Sequence, residues 1–151
     1  MQKTMNTHFM KDVTNVLPPG EYFIGDLCYF LNDPIVDVWS FDFKKNDGVF
    51  TTDNGLGFGV IKPYSGNGIY IGSNRFSYDV EDMNLGIAST TFGDTSKYNG
   101  CGTFHKFNKP VIMDWVEGVI YFKSDKWTMN IDTNHNDALD SDDMDGYDSW
   151  S

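Results

Sequence analysis

Cys28, His105 and an aspartate, Asp26 or Asp114, are the residue types from which this chain could build a thiol nucleophile. The chemistry would be hydrolysis: an imidazole takes the thiol proton and a carboxylate holds the imidazole in the right tautomer. Such a triad depends on closeness in space, because its members are scattered along the chain. The competing reading of Cys28 is a small buried side chain in an aromatic run, a common fate of free cysteine. An Asp pair acting on a glycosidic bond is a second hydrolytic option. Nineteen Asp make it available, and that same abundance singles out no pair.

Metal chemistry is less well supplied. Cys28, Cys101, His105 and His8 could bind zinc, yet Cys101-x3-His105 is poor spacing on a strand and no Cys-x2-Cys pair anchors a site. Asp132 to Asp143 places oxygens at alternate positions, as a calcium loop does. Asp137 stands where that loop's sharp turn requires Gly, and Asp143 stands where it requires Glu. No metal centre and no cofactor are expected. Gly55, Gly57 and Gly59 lack the lysine and the strand-turn-helix setting of a phosphate loop, and read as bends in a hairpin.

Binding chemistry is better represented. From Asp132 onward there are seven acidic residues and no Lys or Arg, while the remainder holds fifteen acids against eleven bases. Asp142, Asp143, Asp145 and Asp148 alternate with Tyr147 and Trp150. Charge of this kind steers an encounter with a basic surface, and the aromatic rings anchor it. The competing reading is a solubilising tail. Direct nucleic-acid binding is not expected, since clusters of Lys and Arg are absent at a formal charge of −11. The carboxylates could instead imitate a phosphate backbone on a host enzyme.

The elements that must position these residues read as strands. A chain of 151 residues suits one domain with a full core. Asp outnumbers Glu nineteen to three, the reverse of a helical bias, and twelve Phe, eight Tyr and four Trp favour pleated surfaces. Residues 1–16 are an N-terminal arm or short helix. Pro18-Pro19-Gly20 is a turn. Glu21 to Ile24 and Leu27 to Leu31 are expected strands around a Gly25-Asp26 bend, closed by Asn32-Asp33-Pro34. Val36 to Phe43 alternates as a strand. Asn46-Asp47-Gly48 and Asp53-Asn54-Gly55 are hairpin signals before Val49–Thr52 and Phe58–Ile61. Ile69–Ile71, Phe76–Val80, Gly86–Phe92 and Gly102–Phe107 come next. Val119–Phe122 and Trp127–Ile131 form the clearest hairpin, with Trp127, Met129 and Ile131 on its buried face. The expected fold is all-β: one antiparallel sandwich or partly open barrel over residues 17–132, with a disordered acidic tail at 133–151.

No apolar leader segment, membrane-length run or Asn-x-Ser/Thr site is present, and the two cysteines are far apart. A reduced cytoplasmic setting without membrane contact is expected.

Gly25-Asp26-Leu27-Cys28-Tyr29, after its Pro-Gly turn and aromatic strand, resembles a Gly-Asp-Pro-Cys-Tyr motif. That motif belongs to a family of small uncharacterised proteins of bacteriophages, large DNA viruses and some bacteria. Leu27 replaces the family's Pro. Gly66-Asn67-Gly68-Ile69-Tyr70 is similar to the family's Gly-x-Gly-x-Tyr hairpin, and Asp79–Ile87 and Val119–Thr133 resemble segments C-terminal to it. The resemblance implies a β-rich fold, a phage-type origin and hence a host cytoplasm, and brings no activity. The function expected is a non-enzymatic accessory protein that binds, and could inhibit, a host protein with a basic or nucleic-acid-binding surface. A small hydrolase on Cys28 or an Asp pair, and a virion or assembly component, are the alternatives.

Overall fold

The computed structural model describes residues 9–52, 55–81, 84–93, 100 and 102–134. Within them the strands are β1 (Phe9–Lys11), β2 (Val16–Leu17), β3 (Gly20–Gly25), β4 (Gly48–Thr52), β5 (Gly57–Ile61), β6 (Gly68–Ile71), β7 (Ser77–Val80), β8 (Leu85–Ser89), β9 (Gly102–Phe107), β10 (Val111–Val116), β11 (Val119–Ser124) and β12 (Trp127–Asp132). All their pairings are antiparallel. Six strands make one sheet in the order β1-β4-β5-β8-β3-β9, four make a second in the order β12-β11-β10-β2, and β6 and β7 form a hairpin. The sheets do not close into a barrel, so of the two expected architectures the chain adopts the sandwich.

Alternation along the strands divides the core in two. Tyr22, Ile24, Val49, Ile61 and Ile87 face the second sheet and pack with Leu17, Val111, Met113, Ile120, Phe122, Met129 and Ile131. Phe23, Phe50, Phe58, Val60 and Ala88 point the other way, into a second cluster with Leu27, Phe30, Ile35 and Trp39. The six-stranded sheet is therefore covered on both faces, which is why β3 and β5 read as continuous apolar runs. The chain passes from one sheet to the other at Pro18-Pro19, where two residues without N–H end the ladder. The Tyr22 hydroxyl donates to the Pro18 carbonyl across this corner. Burial pushes its phenol up to about 12, so it remains a donor at physiological pH.

Three expected strand features are corrected. Val36–Phe43 is not a strand: helix α1 (Asp33–Asp37) continues into a π-helical turn, Val38–Asp42. Ile35, Trp39 and Phe43 recur every fourth residue and pack into the second cluster, so the helical period prevailed over a coincidental alternation. Asn32-Asp33-Pro34 opens this helix instead of closing a sheet unit, with Pro34 in the first turn, where its missing N–H costs nothing. Leu27–Leu31 is not a strand either. Leu27–Tyr29 is a tight helical turn, followed by a single bridge from Leu31 to Gly93.

Of the glycine run, Gly55 is a bend between β4 and β5 as expected, and the other two glycines differ. Gly57 and Gly59 lie within β5, facing the second sheet. A Cβ at Gly57 would meet Leu17 at 2.7 Å, and one at Gly59 would meet the Met113 sulfur, so these glycines let β2 and β10 approach closely. The β11–β12 hairpin has its expected pairing, from Ser124 opposite Trp127 to Val119 opposite Asp132. Of the N-terminal arm, Phe9–Lys11 is an edge strand on β4. Thr133 belongs to the body: it is fully buried and its N–H and hydroxyl both donate to the Gly118 carbonyl. Residues 135–151, with most of the acidic tail, lie outside the described residues.

Candidate functional site

The motif at the end of β3 is a junction of backbone. Asp26 is completely buried and caps the Leu27–Tyr29 turn, its Oδ1 accepting from the Cys28 N–H at 3.1 Å. Its Oδ2 accepts from the Glu81 N–H at 2.8 Å, tying β3 to the end of β7. Asn84 completes the knot. Its Oδ1 accepts from the Leu27 N–H at 3.0 Å, and its Nδ2 donates to the Cys28 sulfur. Gly25 pairs with both Gly86 and Gly102, one on each flanking strand. The turn's last residue is Tyr29, whose side chain is outside the described set.

The half-buried Cys28 thiol borders a cavity of about 10 Å³ walled by Leu31, Val36, Trp39, Phe58 and Val60. Such a space holds about one water, too little for a substrate. The neighbours expected for a nucleophile are elsewhere. His105 stands opposite Tyr22, whose side chain enters the core between the sheets, whereas Cys28 lies over the far face of the six-stranded sheet. Asp114 is on the outward side of β10, on the second sheet. The three residues occupy three layers, so the Cys28–His105–Asp114 arrangement is not assembled, and Asp26 is occupied with backbone at the turn.

His105 has a different setting. Its Nε2 is 2.8 Å from the Thr103 hydroxyl, which is 2.9 Å from the Tyr78 hydroxyl, to which Asn74 Nδ2 donates at 2.9 Å. The ring lies parallel to Phe107 and tilted against Trp127. Burial pushes its pKa down, because the apolar surroundings disfavour imidazolium. Between the lowered folded pKa and the ordinary value of about 6.5, the unfolded chain binds the extra proton, so stability is lost as pH falls through that window. Melting curves from neutral to mildly acidic pH are expected to show this loss, and His105→Gln to remove that component. An identical acid dependence in both proteins would reject it.

Among the described residues no group of three or more His, Cys, Asp or Glu is placed to hold a metal ion. Cys101 and His8 of the zinc candidates lie outside the described residues, as does the calcium-like run beyond Asn134. Asp132 Oδ1 accepts from both the backbone and side-chain nitrogens of Asn134, a local turn. The binding candidates Asp142, Asp143, Asp145, Tyr147, Asp148 and Trp150 also lie outside the described residues. No helix among the described residues is long and apolar enough to cross a membrane.

The outward face of the second sheet went unnoticed in the sequence. Ile112, Val116 and Tyr121 are each close to half exposed there. Tyr121 stands opposite Asp114, and Val116 opposite Val119. The signal was present: β10 is apolar in both of its alternating registers, and only one can face the core. Asp114, Glu117 and Asp132 are exposed around this apolar strip, Lys123 stands exposed opposite Ile112, and Asn134 is bonded through its side chain to the Glu117 carbonyl. Comparison with protein-family models, with curated proteins and with solved structures gave no match.

Proposed function

We propose that this chain is a non-enzymatic accessory protein of phage type that binds a host protein through an acidic and aromatic surface. The observation that carries the reading is the outward face of the second sheet. Ile112, Val116 and Tyr121 lie exposed on paired strands, bordered by Asp114, Glu117, Asp132 and Lys123. Three carboxylates against the single ammonium of Lys123, which stands opposite Ile112, leave the rim of this apolar strip net negative among the described residues, and its complement is basic with an apolar centre. The sequence beyond Asn134 adds six Asp and no Lys or Arg to this negative charge. Where the partner's basic surface is its nucleic-acid groove, occupancy by these carboxylates blocks it.

The test is capture from host lysate with the full chain, a Val116→Asp/Tyr121→Asp variant and a chain ending at Asn134. The wild type is expected to retain a partner that the sheet-face variant loses, with melting unchanged because both positions face solvent. Loss of the acidic segment is expected to weaken capture about tenfold or more and to flatten its dependence on salt. Equal capture by all three proteins at low and high salt would overturn the proposal.

A further inference from the structure

Four of the chain's eleven basic residues fall between Lys106 and Lys126, and three of them meet around one groove. The β9–β10 turn and the β11–β12 turn are held together by the Ser124 hydroxyl, which donates to the Lys109 carbonyl at 3.0 Å. Between them lies a groove of about 220 Å³ bordered by Lys106, Lys109 and Lys126, with Phe107 and Trp127 as its aromatic wall. Among the described residues Asp125 is the single carboxylate on its lining. All three lysines are exposed, and Trp127 is half-buried against Phe107 at a centroid distance of 4.9 Å. Three ammonium groups beside an indole select an anionic segment that carries aromatic residues.

The same chain contains one. Residues 135–151 hold six Asp, no Lys or Arg, and Leu139, Met144, Tyr147 and Trp150. β12 runs from the groove at Trp127 towards Asn134, a span of about 23 Å at about 3.3 Å per residue. An extended chain from Asn134 covers about 27 Å by Asp142, so Asp142 to Trp150 reach the groove without strain. Tethering sets an effective concentration on the order of millimolar, so weak contacts are enough to hold the segment.

We propose that the lysine groove is the docking site for the acidic C-terminal segment of the same molecule, residues 142–150. Aspartate carboxylates neutralise Lys106, Lys109 and Lys126, and an aromatic ring packs on the Trp127 wall. A basic partner then competes with the groove for these carboxylates. The contact itself needs no partner, so it stands or falls apart from the proposed function.

The test uses full-length ¹⁵N-labelled protein at low salt. Replacing Asp140, Asp142, Asp143, Asp145 and Asp148 together by Asn is expected to shift the amide signals of Lys106–Lys109 and Asp125–Trp127. Those signals are expected to approach the positions they take in about 1 M salt, where the screening length is about 3 Å. Conversely, Lys106→Gln/Lys109→Gln/Lys126→Gln is expected to move the signals of residues 142–150 while leaving strand signals away from the substituted positions in place. Groove signals unmoved by the Asp replacements would overturn the proposal. So would shifts that fade on dilution, which would seat the segment on a second copy of the chain.

Discussion

Gly86→Ala is expected to be the most damaging conservative change in the protein. Gly86 lies on β8 opposite Val60 of β5 and opposite Gly25 of β3, so it sits inside the six-stranded sheet with a strand on either side. A Cβ there would overlap the Gly59 carbonyl oxygen and come within 2.9 Å of both the Gly59 carbonyl carbon and the Val60 Cα. These obstacles are backbone atoms of a hydrogen-bonded neighbour, and no side-chain rotation relieves them. The strands must separate or the register must slip, and a slip would turn the apolar side chains of β8 to the wrong faces. Overpacking that a core cannot absorb costs about 3 kcal/mol or more, a large part of a typical domain's stability. Gly55→Ala is the control. Gly55 has φ of +83° with nothing within 4 Å of a new Cβ, so its penalty is conformational alone, about 1–2 kcal/mol. Urea denaturation of the two variants separates these causes. Equal midpoints would mean that β5 and β8 do not approach so closely at Gly86.

Asp26→Ala is expected to cost about 2–5 kcal/mol, and Cys28→Ala much less. Removing the Asp26 carboxylate strands the Cys28 and Glu81 N–H groups at a buried junction, and each buried donor left without an acceptor costs about 1–3 kcal/mol. It also removes the cap of the Leu27–Tyr29 turn, which carries Leu27 into the second apolar cluster. Cys28 contributes a sulfur that accepts from Asn84 and one wall of a cavity of about 10 Å³, so its truncation deletes little. Chemical denaturation of both variants tests the ordering. If Cys28→Ala proved as destabilising as Asp26→Ala, the motif's spacing would owe more to the thiol than to the cap. On the present geometry, Gly25-Asp26-Leu27-Cys28 ends a strand and fastens the helical turn beyond it.

The division between the sequence and the fold arises from the range of the interactions involved. Composition and local turn chemistry were enough for the all-β class, because β propensity and Asn, Asp and Gly turns act within a few residues. The β11–β12 hairpin was legible for the same reason: its alternation and its connecting turn are contiguous. The α1 segment was misread because Asp33–Asp42 satisfies both periods, and burial of Ile35 and Trp39 against the six-stranded sheet decided between them. Strand order was beyond reach. β3 pairs with β8 and β9, and nothing local specifies partners so distant along the chain.

The candidate chemistry was divided in the same way. The sequence by itself determined that a thiol, an imidazole and many carboxylates were present, and that the acidic charge was concentrated towards the end of the chain. Only the tertiary structure placed Cys28 and His105 on opposite faces of one sheet and brought Asp26 to Glu81, Asn84 to Cys28, and Lys106 to Lys126. Residue types and short-range preferences are written locally. Catalytic convergence and surface patches depend on pairings between distant strands, and those are settled by the packing of the whole core.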